Sequence, residues 1–197
     1  MKLTEIGINS LFTRLRENSL STGISTEDAI NIEIAIEKTS AVEGDIAEVG
    51  VSGGGSAIII AEVKGEKCLH LFDTFEGLPE LGEEDKESAF KKGQYITSFA
   101  LVQSYFNNLY PNVFVYKGLF PQDTGKEIAD KKFSFVHLDV DLYQSTCDAL
   151  AFFWPRINEG GILICHDYQT EKGVRKALDG FGIEVKTIGK SQGIITK

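Results

Sequence analysis

Five short runs rich in β-branched and aromatic residues, at 45–51, 68–73, 113–117, 133–139 and 161–165, are separated by stretches whose apolar residues return every three or four positions. Phe99, Val102, Phe106 and Leu109 keep that helical spacing, as do Cys147, Leu150, Ala151 and Trp154, and then Val174, Ala177, Leu178 and Phe181. Strands that alternate with helices pair in parallel, because each crossover helix returns the chain to the same edge and covers a face of the sheet. Ligands of such sheets collect outside the carboxyl ends of the strands. The last fourteen residues, EVKTIGKSQGIITK, read instead as an antiparallel hairpin, which brings the expected sheet to seven strands. There is no internal repeat or low-complexity tract, and only four prolines, so residues 1–197 are expected to form one α/β domain.

Local signals refine this outline. In EDAINIEIAIEKTS the isoleucines at 30, 32, 34 and 36 alternate as in a strand, but the preceding STED is a helix start and Ala and Glu favour helix, so a helix is expected. Ser145 with Asp148 reads as a capping box, and Gly160 as the stop of the helix that follows.

Twenty Lys plus Arg against 29 Asp plus Glu leave a net charge of -9, which argues against nucleic acid or an anionic membrane as partner and favours small molecules. Neither end carries an apolar run long enough for a signal peptide or membrane span, so a cytoplasmic location is expected. Cys68, Cys147 and Cys165 are far apart and lack metal-knuckle spacing, as expected of reduced thiols.

The chemistry is expected at three strand ends. EVGVSGGGS carries glycines at 50, 53, 54 and 55 from a strand into a helix, where backbone approaches a ligand and free N–H groups face an anion. Ser52 replaces the second glycine of the dinucleotide fingerprint. Asp73, 23 residues after Gly50, ends the next strand at the spacing of a ribose-binding acid. Together these imply an adenosine cofactor, with NAD and S-adenosylmethionine both open. The fourth and fifth runs end in LDVD and CHD, so neighbouring strands bring Asp139, His166 and Asp167 to one rim. The two carboxylates suit magnesium, and the imidazole suits a transition metal such as manganese. Asp141 reads equally as a metal ligand or a helix-start charge.

At these residues the chain resembles the macrocin O-methyltransferase family, S-adenosylmethionine-dependent enzymes that methylate sugar hydroxyls in antibiotic biosynthesis. GDIAEVGVSGGGS, DTFEGLP, VYKGLFPQDT, LDVDLYQSTCDAL and GGILICHDY occur in the family's order. The resemblance implies a Rossmann-like class I methyltransferase fold with helices on both faces of a mostly parallel sheet, and a homodimer or larger assembly. It places Glu48, Gly50, Ser52, Gly54 and Ser56 around the methionine part of the cofactor, Asp73 on the ribose, and Gly118 to Phe120 near the adenine. It makes Asp139 a metal ligand and catalytic base, beside His166 and Asp167. Where the family usually has two adjacent aspartates before a tyrosine, this chain has His166 and Asp167 before Tyr168, a change compatible with manganese or with a metal-free reaction in which Asp139 or His166 is the base. The first forty residues are expected to form a helical cap, shorter than the family's usual N-terminal region.

The resulting expectation is an O-methyltransferase acting on a sugar or other natural-product hydroxyl with divalent metal assistance. An NAD-dependent oxidoreductase would use the same turn and Asp73 but leaves the rim carboxylates without a task. A non-catalytic adenosine-binding module would have no need of Asp139 and Asp167. The polar segment at 81–98 leaves the sheet at the ligand edge and is expected to serve as a lid.

Overall fold

The computed structural model describes residues 3–197; Met1 and Lys2 of the expected cap lie outside them. A seven-stranded sheet runs in the order β3-β2-β1-β4-β5-β7-β6. Its strands are β1 (Asp45–Val49), β2 (Leu69–Asp73), β3 (Val113–Lys117), β4 (Phe133–Leu138), β5 (Ile157–Cys165), β6 (Lys186–Ile188) and β7 (Gln192–Thr196). The first five pair in parallel, and β7 joins antiparallel to both β5 and β6, so the terminal hairpin is present as expected.

Helices α1 (Glu5–Glu17), α2 (Thr26–Lys38), α3 (Gly55–Val63) and α4 (Phe99–Leu109) cover one face, burying Phe12, Ile32, Ile59 and Phe106 against Leu71 and Phe135. On the other face α5 (Tyr143–Phe153) and α6 (Lys172–Gly180) pack Leu150, Phe153 and Leu178 against Val136 and Leu163. Strand alternation supplies both faces, Ile46 belonging to the first core and Ala47 to the second.

The alternating isoleucines do form a helix, α2. Ser25 and Asp28 make a reciprocal capping box at its start, and Ala29, Ile32 and Ile36 fall on one buried stripe. Two local expectations are corrected. Helix α5 begins at Tyr143, before Ser145, and has no side-chain cap of its own. The Tyr143 N–H donates instead to Asp85 Oδ1 at 3.0 Å, while Asp148 accepts from Gln122 and Gln144. Nor does Gly160 stop that helix. The helix ends at Phe153, a short 3-10 turn through Pro155 follows, and Gly160 lies inside β5 with φ +79°.

The connection between α1 and α2 lies against the glycine turn that follows β1. Ser21 N–H donates to Gly53 O at 3.3 Å, and a Cβ at Gly53 would stand 2.1 Å from Ser21 Oγ. Part of the glycine richness therefore serves protein packing.

Candidate functional site

A cavity of about 430 Å³ opens at the carboxyl ends of β1, β2, β4 and β5, within the range of small-molecule sites. Among the residues expected to hold a cofactor, Gly50, Ser52, Asp73, Gly118 and Phe120 line it, whereas Glu48, Gly54 and Ser56 do not. Glu48 is fully buried beneath the turn, 2.8 Å from His137 Nδ1. Burial pushes its carboxyl above the usual range, and His137 and Ser56 pull against that shift. Gly54 is the N-cap of α3 in a left-handed conformation and offers no side-chain cap, and the first turn of the helix is buried behind the cavity wall, against Ser21 and Thr22.

Asp73 ends β2 with both oxygens in use. Oδ2 accepts from Ser52 N–H at 2.7 Å and Oδ1 from Phe75 N–H at 2.6 Å. Burial raises its pKa, and these N–H groups act against the rise. The carboxylate thus braces the glycine turn against the end of β2 while facing the cavity.

The opposite wall carries the rim acids. The β4–β5 register pairs Leu138 with Cys165, and the ladder continues through His166 N–H donating to Leu138 O at 2.8 Å, which sets Asp139 beside His166. His166 Nδ1 lies 3.2 Å from Asp139 Oδ1 and 3.2 Å from Asp167 Oδ1. One ligand atom from each of the three residues falls within 4.8 Å of the others. The buried Nδ1 makes no well-directed hydrogen bond and lies between the two carboxylate oxygens. Two carboxylate oxygens and an imidazole nitrogen converging in this way fit a divalent cation, manganese better than magnesium because of the nitrogen.

Charge explains the perturbed groups. Burial works against a charged His166, but Asp139, Asp167 and Asp28 outweigh it and hold the ring well above its usual range. Burial likewise opposes ionisation of Asp167, and His166 with Thr170 reverses the effect. Asp141 shifts the other way: burial, then Asp139 and Asp167, push it up to about 9 against the weaker pull of His166. Its backbone sits at φ +60° and it lines the cavity, which places it with the rim acids as well as near the start of α5.

Further lining residues carry no sequence signal of their own. Gly23 comes from the α1–α2 connection, and Phe90, Gln94 and Tyr95 from the segment expected as a lid. That segment has two parts. Its first half is anchored by Asp85 on α5 and by ion pairs from Glu84 to Lys176 and Glu87 to Lys172. Its second half overhangs the cavity and is tied back through Thr97 Oγ1, which donates to Ser52 O at 3.0 Å. A second hollow of about 650 Å³ lies among Glu33, Glu37, Lys64 and Lys67, but both lysines are committed to backbone carbonyls. No helix among the described residues is long and apolar enough to cross a membrane.

Known proteins resemble this chain in sequence and fold. The 8-demethyl-8-(2,3-dimethoxy-alpha-L-rhamnosyl)-tetracenomycin-C 4'-O-methyltransferase of Streptomyces olivaceus is 32% identical over 154 residues, which cover 70% of this chain. The match spans 59% of that relative's own length. The solved O-methyltransferase NovP superposes with a TM-score of 0.78 at 26% identity, covering 88% of this chain and 81% of its own. An O-methyltransferase from Bacillus cereus solved in complex with S-adenosylhomocysteine shares the fold, with a TM-score of 0.66 at 15% identity over 96% of this chain and 90% of its own. The family model described as macrocin-O-methyltransferase (TylF) matches residues 22–190. By that match, and by the placement of its turn and rim motifs around one cavity, the chain belongs to the macrocin O-methyltransferase family.

Proposed function

We propose that this protein transfers the methyl group of S-adenosylmethionine to a hydroxyl of a small molecule, a sugar or another natural-product hydroxyl, with a divalent cation held by Asp139, His166 and Asp167. The observation that carries this reading is the meeting of those three side chains on one wall of a cavity whose other walls are the glycine turn, Asp73 and Gly118–Phe120. Asp73 would receive the ribose hydroxyls, and the turn at Gly50 and Ser52 the methionine carboxylate. Bound S-adenosylmethionine supplies a methyl group whose bond to sulfur breaks as its bond to the acceptor oxygen forms. A cation at the rim supplies acidity to the acceptor hydroxyl. Asp139 faces the cavity and takes the hydroxyl proton, while Phe90, Gln94 and Tyr95 close over the acceptor and exclude water.

Calorimetric titration tests the cofactor: S-adenosylhomocysteine is expected to bind and NAD not to. Binding of NAD alone would replace this reading with the oxidoreductase one. In the same assay Asp73→Ala is expected to weaken S-adenosylhomocysteine by about 1–3 kcal/mol, the scale of a charged hydrogen-bond partner. Part of that loss arises because Ser52 N–H and Phe75 N–H lose their acceptor, so Asp73→Asn, which keeps one carbonyl oxygen, is expected to lose less.

The lid reading assigns motion to the overhanging half. Trypsin is expected to cut the free protein after Lys91 or Lys92, both exposed, and saturating S-adenosylhomocysteine to slow that cut. Equal cleavage with and without it would leave the segment a plain surface loop.

A further inference from the structure

Asp28 lies within reach of His166 and outside the rim motifs. It stands at the start of α2, only 5% exposed, with Oδ2 placed 3.6 Å from His166 Nε2. The opposite ring nitrogen, Nδ1, is the one that faces Asp139 and Asp167. Asp28 is itself pinned from two sides. Oδ2 accepts from Ser25 N–H at 3.0 Å and Ser25 Oγ–H at 2.6 Å, and Oδ1 accepts from Ser191 Oγ–H at 2.6 Å. A capping box needs only the Ser25 bonds. The second tie, from the turn between β6 and β7, and the burial against His166 exceed what a cap requires.

We propose that Asp28 is a positioning residue for His166, which fixes the ring so that Nε2 carries the proton and Nδ1 presents its lone pair to a cation shared with Asp139 and Asp167. The inference rests on the metal reading given above. Its physical basis is general: the two nitrogens of a neutral imidazole take opposite roles, and a carboxylate behind one decides that the other is the ligand. Such a partner orients the ring and raises its basicity, and its loss commonly costs about 10–100-fold in metal affinity. Helix α2 and the terminal hairpin thereby become part of the site, although neither supplies a residue that lines the cavity.

The test uses manganese alone as the probe, with binding followed by loss of the free-ion electron paramagnetic resonance signal and the ligand set by nitrogen modulation of the spin echo. Wild type is expected to bind with an imidazole nitrogen coupling, and Asp139→Asn to abolish that binding. Asp28→Asn is expected to bind about 10–100-fold more weakly with the nitrogen coupling diminished. In a His166→Ala background the same substitution is expected to change affinity by less than about twofold, since its effect passes through the ring. A purely structural role would lower affinity equally in both backgrounds, and that result, or Asp28→Asn binding like wild type, would overturn the proposal. If Asp28→Asn does not fold, Ser191→Ala keeps the charge and the cap while freeing Oδ1. It is expected to weaken manganese in the wild-type background but not in the His166→Ala one, and an equal effect in both would overturn the proposal. Wild type that binds no manganese removes the metal reading and this inference with it, an outcome distinct from wild-type binding that ignores Asp28.

Discussion

Asp139→Asn is expected to lose methyl transfer on the order of 10²–10⁴-fold, the contribution of a positioned general base, while binding S-adenosylhomocysteine as wild type does. The fold should tolerate the change. Asp139 is held through its backbone, whose N–H donates to Val49 O at 2.9 Å, and asparagine keeps that bond. What disappears is the negative oxygen 3.2 Å from His166 Nδ1 and the acceptor for the hydroxyl proton. EDTA is expected to suppress turnover of the wild type, with magnesium or manganese restoring it. Full turnover in EDTA that still depends on Asp139 would remove the cation and keep the carboxylate as base. Wild-type turnover by Asp139→Asn would remove both roles.

Gly50→Ala is expected to give the largest loss of stability among single substitutions at the site. The residue follows β1 with φ +90°, and a Cβ there would stand 1.8 Å from the Asp139 carbonyl oxygen. Strain of about 1–3 kcal/mol from the backbone conformation adds to about 1–3 kcal/mol from forcing atoms into a packed position, so the loss should be roughly 2–6 kcal/mol. Urea unfolding measures it. Because the clashing atom belongs to Asp139, any variant that does fold should also have its rim displaced and bind cofactor less well. Stability within about 0.5 kcal/mol of wild type would mean that the turn and the β4 end separate freely, contrary to the packing described here.

Much of the architecture is legible in the chain because its determinants are local. The parallel core follows from runs such as 113–117, which the structure reproduces residue for residue as β3, and from helix stripes such as Val102 and Phe106 on α4. The Ser25–Asp28 box settles α2 against the contrary strand-like alternation, because caps and burial on a helical stripe outweigh the preference of isoleucine for strands. Where the determinant is not local, the same kind of signal misleads. Ser145 and Asp148 have the spacing of a cap, but the first N–H of α5 is met by Asp85, 58 positions earlier in the chain.

The site divides along the same line. Asp73, Asp139, His166 and Asp167 can be found from the sequence, because each stands at the end of an apolar run and parallel pairing carries such ends to one edge. Glu48 shares their neighbourhood in the chain, yet the alternation of β1 turns it inward to His137, away from the cavity. Asp28 reads locally as a capping residue only. Its place behind His166 depends on packing α2 over the sheet and on Ser191, 163 positions along the chain, closing from the terminal hairpin. Such contacts have no signature in spacing, since burial and charge at a point in space come from whichever elements the fold brings there, and here those elements are α2 and the terminal hairpin, far apart in the chain.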